Sequence, residues 1–165
     1  MFRDGTATEN IKLTLTVEDA GDILPSFPDE DKGTSFALEK YLEEFIVSNW
    51  NDIDLGKKYD RCEEEIDGKR RKFRTDTGEI DIFAISKDET EYLVIELKKG
   101  RASDVVVGQI QRYMGYVKEE VATTSQNVRG LIIALEDDLK IRRALSINPD
   151  IDFYRYAISF DLIEI

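Results

Sequence analysis

Glu96 and Lys98 stand two residues apart in the run Glu91 to Lys98, EYLVIELK. In an extended strand, residues two apart project to the same face, so this carboxylate and this ammonium leave a Val-, Ile- and Leu-rich segment together. Charged side chains in such a setting are costly unless they are paired or liganded. Asp81 lies in a second apolar run, Glu79 to Ile85, which a short turn at residues 87–90 joins to the first. Hairpin pairing of the two runs brings Asp81 beside Glu96. Two carboxylates so placed repel and raise each other's pKa unless a cation sits between them. With oxygen donors only, the carbonyl of Leu97 being a further one, Mg2+ or Mn2+ is favoured over zinc. The plainer reading is a Glu/Lys pair on a solvated sheet face, where cross-strand contacts simply match charges. The apolar surroundings and Asp81 at hairpin distance weigh against leaving it at that.

Composition narrows the chemistry further. The 165-residue chain has no His and a single Cys, Cys62. Ser-His-Asp hydrolases, His-based nucleases and His-ligated zinc sites are therefore excluded, as are an intramolecular disulfide and a Cys-rich metal centre. Carboxylates, Lys, Arg, Tyr and hard-metal chemistry are what is left. The net charge of −12 argues mildly against a nucleic-acid partner, but the charge is unevenly spread. Residues 1–67 carry 7 Lys+Arg against 18 Asp+Glu, whereas residues 68–165 carry 16 against 17. The total is thus a poor guide to the field inside a cleft. The length fits one domain, and 41% hydrophobic residues can build a core. No apolar run is long enough to cross a membrane, and the N-terminus lacks the apolar core of a signal peptide, so the cytoplasm is the expected compartment.

The elements that must position these residues follow from periodicity. Ile11, Leu13, Leu15 and Val17 alternate with polar residues, which predicts a half-buried strand; residues 18–34, acidic and with Pro25, Pro28 and Gly33, read as a loop. Thr34 or Ser35 caps a helix to about Asn49, with Glu39 and Glu43 on one side of it. A turn at Asp54 to Gly56 precedes a strand from about Lys57 to Ile66. Asp67-Gly68 is a two-residue hairpin signal, and the return strand opens with Lys69 to Arg74. The strand at Glu91 ends at Gly100. Ser103 or Asp104 caps a long helix to about Val121, with Val106, Ile110, Met114, Val117 and Val121 as its core stripe and Gln109, Arg112, Tyr113 and Tyr116 as a polar-aromatic one. Gly130 to Leu135 reads as a central strand, Asp137 to Ser146 as a helix, and Asp150 to Ile165 as a final strand. The order predicts an α/β domain at 35–165, a mixed sheet of about five strands flanked by helices on both faces, preceded at 1–34 by a strand and an acidic loop.

Gly78-Glu-Ile-Asp81, then Val94-Ile-Glu-Leu-Lys98, then Gln109-Ile-Gln-Arg-Tyr113, in this order and on these elements, resemble the PD-(D/E)XK nuclease superfamily. Within it they are most similar to the nuclease domain of the NucS/EndoMS endonucleases, which share GxID, ELK and QxxRY. Leu38-Glu39-x-x-Leu42-Glu43 with Asn49 resembles that family's first nuclease helix. The resemblance covers roughly Phe36 to Glu136. It implies a restriction-endonuclease-like sheet and a Mg2+-dependent (or Mn2+-dependent) DNA endonuclease. It implies that Asp81, Glu96 and the Leu97 carbonyl bind the metal, that Lys98 positions and helps deprotonate the attacking water, and that Gln109 and Tyr113 complete the site. It implies Glu39 as the first-helix carboxylate, with Glu43 in competition for that role. The residues suit this chemistry independently, because carboxylate-held metals supply most of what phosphodiester hydrolysis needs, and a Lys beside a metal can act as a base or water-orienter near neutral pH.

Substrate DNA must also be held. Lys69 to Arg74 places five positive charges in six residues. Of these Arg70, Lys72 and Arg74, together with Lys99, Arg101 and Arg112, are candidates to line a groove for phosphates. Alternation lets at most about half of such a run face one groove, and the bland alternative is a solubilising hairpin that offsets Glu63 to Glu65. Trp50 and Tyr116 read as packing residues, Cys62 as inert, and the Lys140, Arg142, Arg143 cluster as a solvated helix face. The NucS family carries a separate N-terminal DNA-binding and dimerising domain. The residues before Phe36 do not make one, so an additional DNA-targeting partner is expected. Cleavage of both duplex strands would take two sites, which points to a homodimer. The rival reading is a nuclease-fold DNA-binding or protein-interaction module without turnover.

Overall fold

The computed structural model describes residues 12–14, 31–159, 162 and 164. Its centre is a five-stranded mixed sheet in the order β2-β5-β6-β7-β8, formed by Tyr59–Arg61, Ile82–Ser86, Glu91–Arg101, Asn127–Glu136 and Ile151–Arg155. Neighbours are antiparallel from β2 to β6 and parallel from β6 to β8. The apolar centres of β6 and β7 explain why these strands lie in the middle: a strand covered on both faces is apolar at successive positions instead of alternating. Odd-numbered Leu93, Ile95 and Leu97, with Leu131 and Ile133, pack under Leu42, Ile46, Trp50 and Leu55. The even-numbered Val94, with Ile132 and Ala134, packs against Val106, Ile110, Tyr113, Val117 and Ile141 on the other face. The first face is covered by helix α1 (Asp31–Ser48) and the short α2 (Asp54–Lys58), the second by α3 (Val105–Tyr116) and α4 (Leu139–Ser146). This is the mixed α/β architecture that the element order predicts.

Several boundaries differ from the sequence reading. Helix α1 begins at Asp31, ahead of the expected cap at Thr34 or Ser35. The expected turn at Asp54 to Gly56 is the helix α2, and a Cβ on Gly56 would lie 1.7 Å from the Trp50 carbonyl oxygen, so only glycine lets the two turns close up. The expected strand at Lys57 to Ile66 breaks at Cys62-Glu63, because the Glu63 carboxylate turns inward and accepts the Phe83 N–H at 3.1 Å. Beyond the break, β3 (Glu64–Ile66) and β4 (Lys69–Arg71) form a separate antiparallel arm. Its turn is the expected one, with Asp67 and Gly68 both at positive φ, 52° and 70°. Strand β6 does not stop at Gly100 but runs to Arg101, which pairs with Glu136 across an irregularity that follows Lys98. Helix α3 passes into a wider turn at Val117–Val121. The final strand divides at buried Tyr156 into β8 and β9 (Ala157–Ser159), and β9 pairs in parallel with β1 (Lys12–Thr14). The rest of the predicted N-terminal strand and acidic loop lies outside the described residues.

Candidate active site

Asp81 precedes β5 by one residue, and the β5–β6 register pairs Ile82 with Ile95, so Asp81 faces Glu96 at the end of the ladder. Strand alternation puts Glu96 on the face that α3 covers. There it is 1% exposed, and its Oε1 has no hydrogen-bond partner. Burial first, and then the charge of Asp81, push the Glu96 carboxyl up to about 8. Lys98, two residues on and on the same face, opposes this; its Nζ stands 3.9 Å from Glu96 Oε2. The Asp81 carboxylate is held from both sides. Its Oδ2 accepts the Leu97 N–H at 2.9 Å and its Oδ1 accepts the Lys72 ammonium at 3.0 Å.

A buried Glu96 oxygen without a hydrogen-bond partner, beside a second carboxylate, is an arrangement that a cation would relieve, and Lys72 and Lys98 answer only part of its charge. Among the described residues, no three Asp, Glu, Cys or His converge as a metal cluster. The two carboxylates that do meet are Asp81 and Glu96, at the end of the β5–β6 ladder.

The first helix contributes differently from expectation. Glu39 Oε1 accepts the Lys99 N–H at 3.4 Å and so touches the end of β6 past Lys98. Glu43 is the carboxylate tied to Asp81: its Oε2 lies 2.7 Å from Lys72 Nζ, the same ammonium that reaches Asp81. Burial works against the Lys72 charge, but the Glu43 and Asp81 carboxylates outweigh it and raise its pKa. Arg70 joins the same cluster. Its guanidinium binds Glu43, donates to the Asp81 carbonyl at 3.0 and 3.1 Å, and meets Glu63 Oε1 at 2.8 Å. Arg70 and Lys72, both candidates for a phosphate groove, are partly buried, with side chains 19% and 30% exposed, and both are engaged by acids.

Other candidates remain on the surface. Arg74 is exposed and pairs with Glu79 at 2.9 Å; Arg101 is exposed and pairs with Glu136 at 3.4 Å. Arg112 is exposed on α3 and Lys99 is half-buried at the end of β6. On α3, Gln109 donates to the Tyr113 hydroxyl at 3.4 Å, and Tyr113 is buried. That hydroxyl occupies the space over Gly78: a Cβ there would lie 2.6 Å from it, and Gly78 has φ +149°. The glycine of the GxID pattern thus seats the tyrosine of the QxxRY pattern. Trp50 and Tyr116 pack, as expected, through the Trp50 Nε1 bond to the Tyr59 carbonyl at 3.0 Å and an edge contact of Tyr116 with Phe73.

The model of the endonuclease NucS C-terminal domain matches residues 38–154. The chain belongs to that family. It is 32% identical over 96 residues to endonuclease NucS of Sulfolobus acidocaldarius, an alignment that covers 58% of this chain and 33% of that protein. Among solved structures it resembles a repair endonuclease from Pyrococcus abyssi, with a TM-score of 0.53, 21% identity, and coverage of 80% of this chain and 49% of that one. It also resembles EndoMS in a complex with double-stranded DNA, with a TM-score of 0.52, 19% identity, and coverage of 86% and 51%. These structural likenesses show the fold. The chain spans about a third of the length of the NucS relative and about half of the two solved chains. The NucS placement extends the family pattern from the motifs to the whole sheet, since the match begins in α1 and ends in β8.

Three residues of this neighbourhood escaped the sequence reading. Glu63, whose side chain is 1% exposed, sits in an acidic triplet that reads as solvated. Tyr156 donates its hydroxyl to the Lys99 carbonyl; the only signal was an aromatic in a run already assigned to one strand. For Lys72 the missed feature is its contact with Asp81 and Glu43, because in a run with five basic residues of six it reads as a phosphate ligand.

Proposed function

We propose that this chain is the nuclease module of a metal-dependent DNA endonuclease that hydrolyses phosphodiester bonds with an activated water. One observation carries the reading: the Glu96 carboxylate is buried beside Asp81 with one oxygen unpartnered. Asp81, Glu96 and the Leu97 carbonyl would hold Mg2+ or Mn2+. The bound ion would supply charge neutralisation at the phosphoryl oxygens and an acidified water. The chain's own residues do the rest. The β5–β6 pairing and the Leu97 N–H fix Asp81 against Glu96, so the acids need no reorganisation on substrate arrival. The Lys98 side chain, partly exposed, would orient a water, accept its proton as the neutral amine, and give a proton up as the ammonium. Tyr113, seated on Gly78, closes the α3 side, with Gln109 bonded to it. The surface cations Arg74, Lys99, Arg101 and Arg112 would hold backbone phosphates. DNA as partner is supported by family membership and by the DNA-bound state of one structural neighbour. Homodimerisation, which cleavage of both duplex strands would require, and a separate DNA-targeting element, which the greater length of the relatives suggests, complete the proposal.

Labelled single-stranded, duplex, mismatched and branched DNAs, incubated with Mg2+ or with EDTA, test this. Cleavage should need the metal and should be abolished in both D81N and E96Q. Cleavage that survives in both variants overturns the proposal. DNA binding by the wild type with no cleavage at any metal concentration would establish the module without turnover.

A further inference from the structure

Both oxygens of Asp81 are already in use, one by the Leu97 N–H at 2.9 Å and the other by the Lys72 ammonium at 3.0 Å. The same ammonium lies 2.7 Å from Glu43 Oε2. Lys72 follows β4, Asp81 precedes β5 and Glu43 stands on α1, so one side chain ties three separate segments together. The other cations of the cluster have other work. Arg70 meets the carboxylates of Glu43 and Glu63 and only the carbonyl of Asp81, and Lys98 sits 3.9 Å from Glu96. Lys72 is therefore the positive charge that answers the Asp81 carboxylate.

We propose that Lys72 is a resident counter-ion that competes with the divalent cation for Asp81 and so sets the metal affinity of the site. The inference rests on the reading of Asp81 and Glu96 as metal ligands. The ammonium occupies one of the two lone-pair sites of Oδ1, and a metal ion on the same oxygen would meet its charge at close range and be repelled. The ammonium is tethered, so it acts at a high effective concentration that a free ion must overcome. When displaced it is not stranded, because Glu43 remains within 2.7 Å. Metal entry thus needs only a short swing of Lys72 from Asp81 towards Glu43.

The test is Mn2+ titration of the full chain, by calorimetry and by the loss of the free-ion paramagnetic resonance signal, with no substrate present. Wild type, K72M, K72Q and D81N are compared, and thermal unfolding identifies any variant that is not folded. K72M and K72Q are expected to bind Mn2+ roughly fivefold or more tightly, the worth of a partly exposed ion pair released from competition; D81N should lose the site. Unchanged or weaker binding in K72M and K72Q, with the site still lost in D81N, overturns the role of Lys72 and leaves the metal site standing. Binding that is indifferent to D81N, or absent throughout, overturns the metal-site reading itself and the inference with it.

Discussion

Replacing Glu96 with Gln in metal-free buffer should stabilise the protein, and by an amount that depends on pH. The Glu96 carboxyl is removed from water, lies beside Asp81 and titrates near 8 instead of at the ordinary 4.5. At pH 7 the folded chain must keep a proton that the unfolded chain has released, or carry a charge that its surroundings resist. Either way folding is penalised by on the order of 3 kcal/mol. The folded-state pKa lies above the unfolded one, so the penalty is absent below about pH 4.5, grows as the pH rises towards about 8, and is constant beyond that. Gln has the same shape and no proton to release in this range. Urea unfolding in EDTA, followed by Trp50 fluorescence from about pH 4 to about pH 9, should give equal stabilities at the acid end and a gap in favour of E96Q that widens to the alkaline end. A gap independent of pH, or a less stable variant at neutral pH, would refute the burial of an uncompensated carboxyl at this position.

Other perturbations probe the parts that hold the site. G78A puts a methyl group 2.6 Å from the Tyr113 hydroxyl on a backbone with φ +149°; it should cost about 1–3 kcal/mol in urea unfolding, and Y113F should restore part of that loss. R70M takes one of two guanidinium groups from the buried Glu63 carboxylate, which keeps Arg61 at 3.0 Å, and removes the cation that joins it to Glu43 and the Asp81 carbonyl. A cost of about 1–3 kcal/mol is expected at neutral pH, with R70K rescuing little, because an ammonium cannot span Glu43, Glu63 and the Asp81 carbonyl together. D138A removes the side chain that accepts the Ile141 N–H at 2.9 Å at the start of α4. It should lower stability by about 1 kcal/mol and leave metal binding unchanged, which makes it the control for effects outside the site.

The legible parts of this protein were those governed by short-range rules. The centre of EYLVIELK and the run GLIIAL are apolar on successive residues, which suits a strand covered on both sides, and they form the two central strands β6 and β7. Asp81 and Glu96 could be paired in advance because the turn between their strands is short and leaves little freedom of register. Asp67-Gly68 demanded positive φ at successive residues, and the backbone has it. What escaped was non-local. In Lys69 to Arg74 nearly every side chain is basic, so alternation cannot say which set turns inward. The answer lies with Glu43, 27 residues before Arg70, and with Glu63, 7 residues before it. The same holds at Lys99, which is gripped by Glu39 and Tyr156 from 60 and 57 residues away and sits where the sequence suggested that β6 would end. Gly100 looked like a terminator because glycine is usually punctuation; the partner strand β7 extends β6 past it.

A crystal soaked in Mn2+ and measured at a wavelength where manganese scatters anomalously addresses the central claim with least intervening inference. The account predicts an anomalous peak between the carboxylates of Asp81 and Glu96, with the Lys72 ammonium withdrawn from Asp81. No peak there in a soaked crystal that shows manganese at other sites, with Lys72 still bound to Asp81, would contradict it.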